Sequence, residues 1–132
     1  MAQTIKEAKR AEAEAYLRRV QTVLEEAHRA AVAAFAEFIE ASPLAATDGR
    51  MTDLCGSADV IVYKPSCRLR AALKAINEIQ RADGGAWCVS NFSRAVNQQG
   101  VTARRTACEA ARAVLVQHFP GEGDFYAKGV VD

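Results

Sequence analysis

The chain lacks most of the marks that functional classes leave in a sequence. It has no C-x-x-C pair and only two histidines, His28 and His118, so its four cysteines (Cys55, Cys67, Cys88 and Cys108) do not have the spacing of a zinc site. No P-loop, G-x-G-x-x-G, G-x-S-x-G or H-E-x-x-H motif occurs, and neither a metal nor a cofactor is implied. The longest wholly apolar run, Ala30 to Ala36, is far too short to span a bilayer. The opening stretch, MAQTIKEAKRAEAEAYLRR, is charged throughout and does not read as a signal peptide. A dominant charge is also missing: 17 basic and 16 acidic side chains leave a net +1, so no whole-chain field drives the protein onto polyanions. These absences predict a cytoplasmic protein with reduced thiols and no membrane contact.

What is present is a chain of 132 residues, half of them apolar, enough for one domain with its own core over residues 1–132. Residues Thr4 to Ala41 are rich in Ala, Glu, Lys, Arg and Leu and free of Gly and Pro, which predicts a long helix ending at Ser42-Pro43. The glycine-containing stretch TDGRMTDLCGSAD reads as a connector, and VIVYK (Val60 to Lys64) as a short strand closed by Pro65. Ser66 is placed to cap a second helix running to about Ala82, stopped by Asp83-Gly84-Gly85. A third helix is expected over Ser90 to Gln99, and a fourth, capped by Thr102, runs to His118 before Pro120-Gly121. The tail DFYAKGVVD can supply a strand for VIVYK to pair with. The expected fold is therefore mainly α: a four-helix domain with one long N-terminal helix and a small β element. Along the chain this divides into the long helix (1–41), connector and strand (42–65), a basic helical region (66–119) and a tail (120–132).

The first helix has a repeating seam. Leu17, Val20, Leu24, Ala27, Ala31, Ala34 and Phe38 recur at alternating steps of three and four, over about three heptads. A straight helix over residues 4–41 would be about 57 Å long, whereas a compact domain of this size is nearer 35 to 40 Å across. An unbroken helix must overhang its own domain. A break near Ala27 to Ala30 would avoid that, but no Gly or Pro marks one. The seam thus predicts self-association, a dimer or higher, through Leu17, Val20, Leu24, Ala27 and Ala31. From Ala30 to Ala36 the helix is apolar on every side, so that part is expected to be surrounded.

Charge is neutral overall but not locally. Residues 1–63 carry 7 basic and 10 acidic side chains, residues 64–112 carry 9 and 3, and residues 113–132 carry 1 and 3. With Ser66 and Thr102 as caps, Arg68 and Arg70 open the second helix, and Arg104 and Arg105 open the fourth. Helix starts favour anions, so cations at two of them point to an anion received from outside. Lys64, Ser66, Arg68, Arg70, Lys74, Thr102, Arg104, Arg105 and Arg112 are the residues this assigns to an anionic partner. That partner is a nucleic acid, a nucleotide-like ligand or an acidic protein surface, and the protein a binding or regulatory one rather than an enzyme.

Two other readings compete. Residues 90–105, SNFSRAVNQQGVTARR, have the outline of a helix, glycine turn and helix of a DNA-binding regulator. Val101 fits that pattern, but Gln99, Thr106 and Glu109 stand where the motif packs apolar residues. Cys67, beside Lys64, Arg68 and Arg70, has surroundings that favour a thiolate and would be the nucleophile of a cysteine-dependent enzyme, although neither histidine has a sequence reason to lie near it.

Overall fold

The long helix starts where Thr4 and Glu7 cap one another. The Glu7 amide donates to Thr4 Oγ1 (3.1 Å) and the Thr4 amide to Glu7 Oε2 (3.3 Å), a reciprocal box that satisfies two of the free amides of a helix start. The structure is a computed structural model and describes residues 4–41, 56–95 and 100–131. Helix α1 (Ile5–Ala41) runs without a break. It is followed by β1 (Gly56–Tyr63), α2 (Cys67–Ala75), β2 (Ile79–Arg81), β3 (Trp87–Val89), α3 (Val101–His118) and β4 (Asp124–Val131), with short 3-10 turns at Asp83–Gly85 and Phe92–Ala95.

The four strands form one antiparallel sheet in the order β2-β3-β1-β4. β1 pairs with β4 along its full length, from Gly56 opposite Val131 to Tyr63 opposite Asp124. On its other side it meets β3 at Ile61–Cys88 and Val62–Trp87. Alternation along β1 buries Ala58, Val60 and Val62 and leaves Ser57 and Asp59 exposed, the pattern of a sheet with one covered face. α3 packs against β1 and β4, and α1 packs on α3. The helix pair is lined with small side chains: Ala27 and Ala31 of α1 and Ala103, Ala107 and Ala111 of α3 are all buried, which lets the two backbones approach.

Among the described residues, three α-helices and a four-stranded sheet stand in place of the expected four-helix domain with a small β element. The second helix stops at Ala75 instead of Ala82. Asn77 takes a left-handed conformation (φ 57°), its amide bonds Lys74 O (3.1 Å), and the Glu78 amide bonds Leu73 O (2.9 Å). This is a Schellman termination with asparagine in the place glycine usually takes, and it releases Ile79–Arg81 to form β2. The third helix is absent over the described part of its range: Ser90 is left-handed (φ 52°) and Phe92–Ala95 is a single 3-10 turn. Residues 96–99 lie outside the described residues, as do the connector 42–55 and its Cys55.

The seam of α1 also has a different role from the one its spacing suggests. Val20, Leu24, Ala27 and Ala31 are at most 5% exposed within the single chain, and Leu17 packs against the same core. Val20, Leu24, Ala27 and Ala31 are covered by the chain's own elements, not held out for a second copy. Nor is the Ala30–Ala36 stretch enclosed by the described residues: Val32 is 48% exposed, and Ala33 and Ala36 are exposed.

Candidate functional site

The nine residues assigned to an anionic partner separate into distinct places. At the start of α2, Ser66 is the N-cap, with its Oγ accepting from the Leu69 amide (3.2 Å). Arg68 falls in the first turn, and the anion it meets belongs to the same chain. Glu122, in the turn between α3 and β4, is buried, and its Oε1 accepts from Arg68 Nε (2.7 Å), Tyr16 Oη (2.8 Å) and Ser66 Oγ (3.1 Å). Arg68 lies over the Tyr16 ring, 4.4 Å from its centroid. A main-chain bond from the Ser66 amide to Glu122 O (2.7 Å) completes the junction of α1, α2 and the α3–β4 turn. Burial by itself would raise the Glu122 carboxyl, but the hydrogen bonds from Arg68, Tyr16 and Ser66 outweigh it and hold the group below its usual range. Burial, then the bond to Glu122, pushes the Tyr16 phenol well up, so it remains a donor. With three donors on one oxygen, this carboxylate acts as a structural anion.

The start of α3 is built differently. Its N-cap is Gly100, not Thr102, and the Arg104 amide bonds Gly100 O (3.1 Å) as the first helical turn closes. Arg104 and Arg105 thus lie one turn in, where the field of the helix end no longer reaches them fully. Arg104 Nη1 donates to Gly56 O (2.9 Å), tying α3 to the start of β1. Thr102 O accepts from Thr106 Oγ1 inside the helix (2.7 Å). Arg112 Nε donates to Phe125 O on β4 (2.6 Å), and its guanidinium lies 5.9 Å from the centre of the Tyr126 ring. Lys74 and Arg81 lie over the Trp87 ring at 5.2 and 5.1 Å, and Arg70 is exposed on α2.

Two of the nine do converge. Lys64 and Arg105 line an open depression of about 660 Å³ along β1 and β4, together with Lys128, Tyr63 and Tyr126. Lys64 is left-handed (φ 51°), a conformation uncommon outside glycine, and sits at the turn from β1 toward α2. Gly129 keeps this corner close: a Cβ there would meet Val101 Cγ2 at 3.0 Å. Tyr126 is 49% exposed, with Tyr63 edge-on to its ring at 5.8 Å and the Arg112 guanidinium 5.9 Å from its centre. The Arg105 side chain is 61% exposed, and Glu109 is 3.8 Å from it along the helix. Against the three cations the lining contains one carboxylate, Asp124. Lys128 and the two tyrosines were missed in the sequence; the alternation of DFYAKGVVD, which sends Tyr126 and Lys128 to the same face, is the signal that could have found them.

Other polar clusters are weaker candidates. His28 Nε2 lies 2.9 Å from Ser90 Oγ, and the His28 ring stacks on Phe92 at 4.5 Å. The Ser90 amide is already given to Glu78 O (2.8 Å), so it is not free to serve an oxyanion. His118 faces Glu26 at 2.9 Å. Cys67 is exposed as the first residue of α2, while Cys108 is buried in the core, its thiol pushed up to about 12 first by burial and then by Asp59 and Glu109. Over the described residues the glycine-turn outline at 90–105 also lacks its first helix, since Phe92–Ala95 is a 3-10 turn following β3. Among the described residues no group of His, Cys, Asp and Glu is arranged to hold a metal, and no helix is long and apolar enough to cross a membrane. No known protein family, curated protein or solved structure matches the chain.

Proposed function

We propose that the chain is a non-enzymatic binding protein that takes an anionic, ring-bearing ligand of nucleotide size on the β1–β4 shelf. The observation that carries this is the gathering of Lys64, Arg105 and Lys128 around Tyr63 and the half-exposed Tyr126. A ligand ring stacks on Tyr126, and phosphate oxygens are met by the surrounding ammonium and guanidinium groups. Charge along the rest of the sheet favours a short ligand over a long polymer. The neighbouring depression holds Asp59 and Asp83 beside Arg81 and Lys128, so a phosphate chain running on from the shelf would meet carboxylates. Self-association belongs to this reading as well, through a surface other than the buried Val20–Ala31 part of the seam.

Titration with a nucleoside triphosphate, the matching nucleoside and a single-stranded oligonucleotide tests the proposal. The triphosphate binds, the nucleoside binds weakly, and Arg105→Glu or Tyr126→Ala each lowers triphosphate affinity by about tenfold or more. Affinity that ignores the phosphates overturns the shelf. Tighter oligonucleotide binding with a salt slope reporting many neutralised phosphates, at about −0.7 per phosphate, replaces the nucleotide with a polymer.

A further inference from the structure

The first turns of α1 stand clear of the chain's own core. From Thr4 to Ala15 every side chain is exposed except the partly covered Ala8, and Ile5 is 78% exposed. This arm is nevertheless a finished helix end, closed by the Thr4–Glu7 capping box. With Glu7 engaged in that box, the remaining charges are ordered: Lys6, Lys9 and Arg10 come first, then Glu12 and Glu14. Beside the arm, α1 and α2 enclose a groove of about 470 Å³ with Ala13, Leu17, Ala72 and Ala75 in its lining and the same Lys9, Arg10, Glu12 and Glu14 around it.

We propose that this groove receives the N-terminal arm of a second copy, the two α1 helices lying antiparallel and crossing near Ala11. The proposal rests on the self-association included above and names its surface. At 1.5 Å per residue, Ile5 and Leu17 each lie about 9 Å from Ala11, on opposite sides. A two-fold axis through the crossing therefore carries the exposed Ile5 of one copy to the Leu17 groove of the other. The same operation sets Lys9 and Arg10 of each copy against Glu12 and Glu14 of the other, whereas a parallel pairing would set like charge on like. The contact is self-complementary, so both grooves fill together and the assembly closes as a dimer.

Light scattering and sedimentation of the full chain at micromolar concentration test this. A dimer is expected, and Ile5→Asp weakens it by about tenfold or more by setting a charge in the apolar groove. Because Ile5 touches little in the single chain, the melting curve of dilute protein is unchanged by that substitution. Two charge reversals decide the register: Lys9→Glu with Arg10→Glu, and Glu12→Lys with Glu14→Lys. Each alone fails to dimerise, and the two mixed together form a one-to-one heterodimer. A monomer at every concentration overturns both self-association and this surface. A dimer indifferent to Ile5→Asp and to both reversals leaves self-association standing and overturns the arm and groove, and failure of the mixed reversals to pair overturns the antiparallel register.

Discussion

The starts of α2 and α3 look alike in sequence and differ in the fold. Each has a hydroxyl residue followed by a pair of arginines, Ser66 with Arg68 and Arg70, and Thr102 with Arg104 and Arg105. At α2 the hydroxyl is the cap, Arg68 is in the first turn, and Glu122, 54 residues away in sequence, supplies the anion. At α3 the cap is Gly100, so the arginines lie deeper in the helix, one bonded to the β1 backbone and the other directed to the shelf. A cation at a helix start does ask for an anion, but the chain can provide that anion itself. The arginine better placed for an outside ligand is the one the helix end does not explain.

The largest break in that contrast is Glu122→Ala. It strips three donors of their acceptor where α1, α2 and the α3–β4 turn meet, and is expected to lower unfolding free energy in urea by about 2 to 3 kcal/mol. Ligand affinity of the protein that remains folded stays as it was. Acidification acts on the same junction. The Glu122 carboxyl is held below its ordinary value of 4.5 in the folded chain, so its contribution is full above that value and is lost as pH falls through the lower folded one. Melting temperature should therefore drop more steeply below about pH 4.5 in the parent protein than in Glu122→Gln, which has no carboxylate to protonate. At the other helix the effects are smaller and divide between neighbours. Arg104→Ala removes the bond to Gly56 O and should cost about 1 kcal/mol of stability. Arg105→Ala should cost less than about 0.5 kcal/mol, because its contact with Glu109 is exposed and screened, while still weakening the ligand. If Arg105 proves the more destabilising of the two, the division between structural and ligand-facing arginines is wrong.

Local chemistry made the two long helices readable. α1 has no Gly or Pro between Thr4 and Ala41, and its observed limits, Ile5–Ala41, follow that composition closely. The β2 segment was hidden because Leu69, Leu73, Ile76 and Ile79 continue a helical stripe in which only Asn77 is out of character. Asparagine tolerates the left-handed conformation that ends the helix there, and nothing in a hydrophobic period records it. The Leu17–Ala31 spacing predicts a face that packs on a second copy of the chain, but spacing does not say whose helix covers it. In this chain α3 does, because its own alanines supply a matching narrow face. The shelf was half visible: Lys64 and Arg105 come from separate charged stretches, and only the pairing of β1 with β4 brings Tyr126 and Lys128 to join them.

That same pairing sets a schedule for synthesis. β1 acquires its eight-residue neighbour only when Asp124–Val131 has been made, and α1 is fastened late as well, by Glu122 on Tyr16 and by the carbonyl of His118 on Arg19. At about 5 to 20 residues per second, the interval between the end of α1 and the end of β4 lasts roughly 5 to 18 seconds on the ribosome. Until Val101–His118 has been made, Val20, Leu24, Ala27 and Ala31 have no α3 to cover them, and the nascent chain displays a stripe suited to a holding chaperone. A ribosome stalled before Val101 should carry a long helix that is exposed along its apolar side and easily cut by protease.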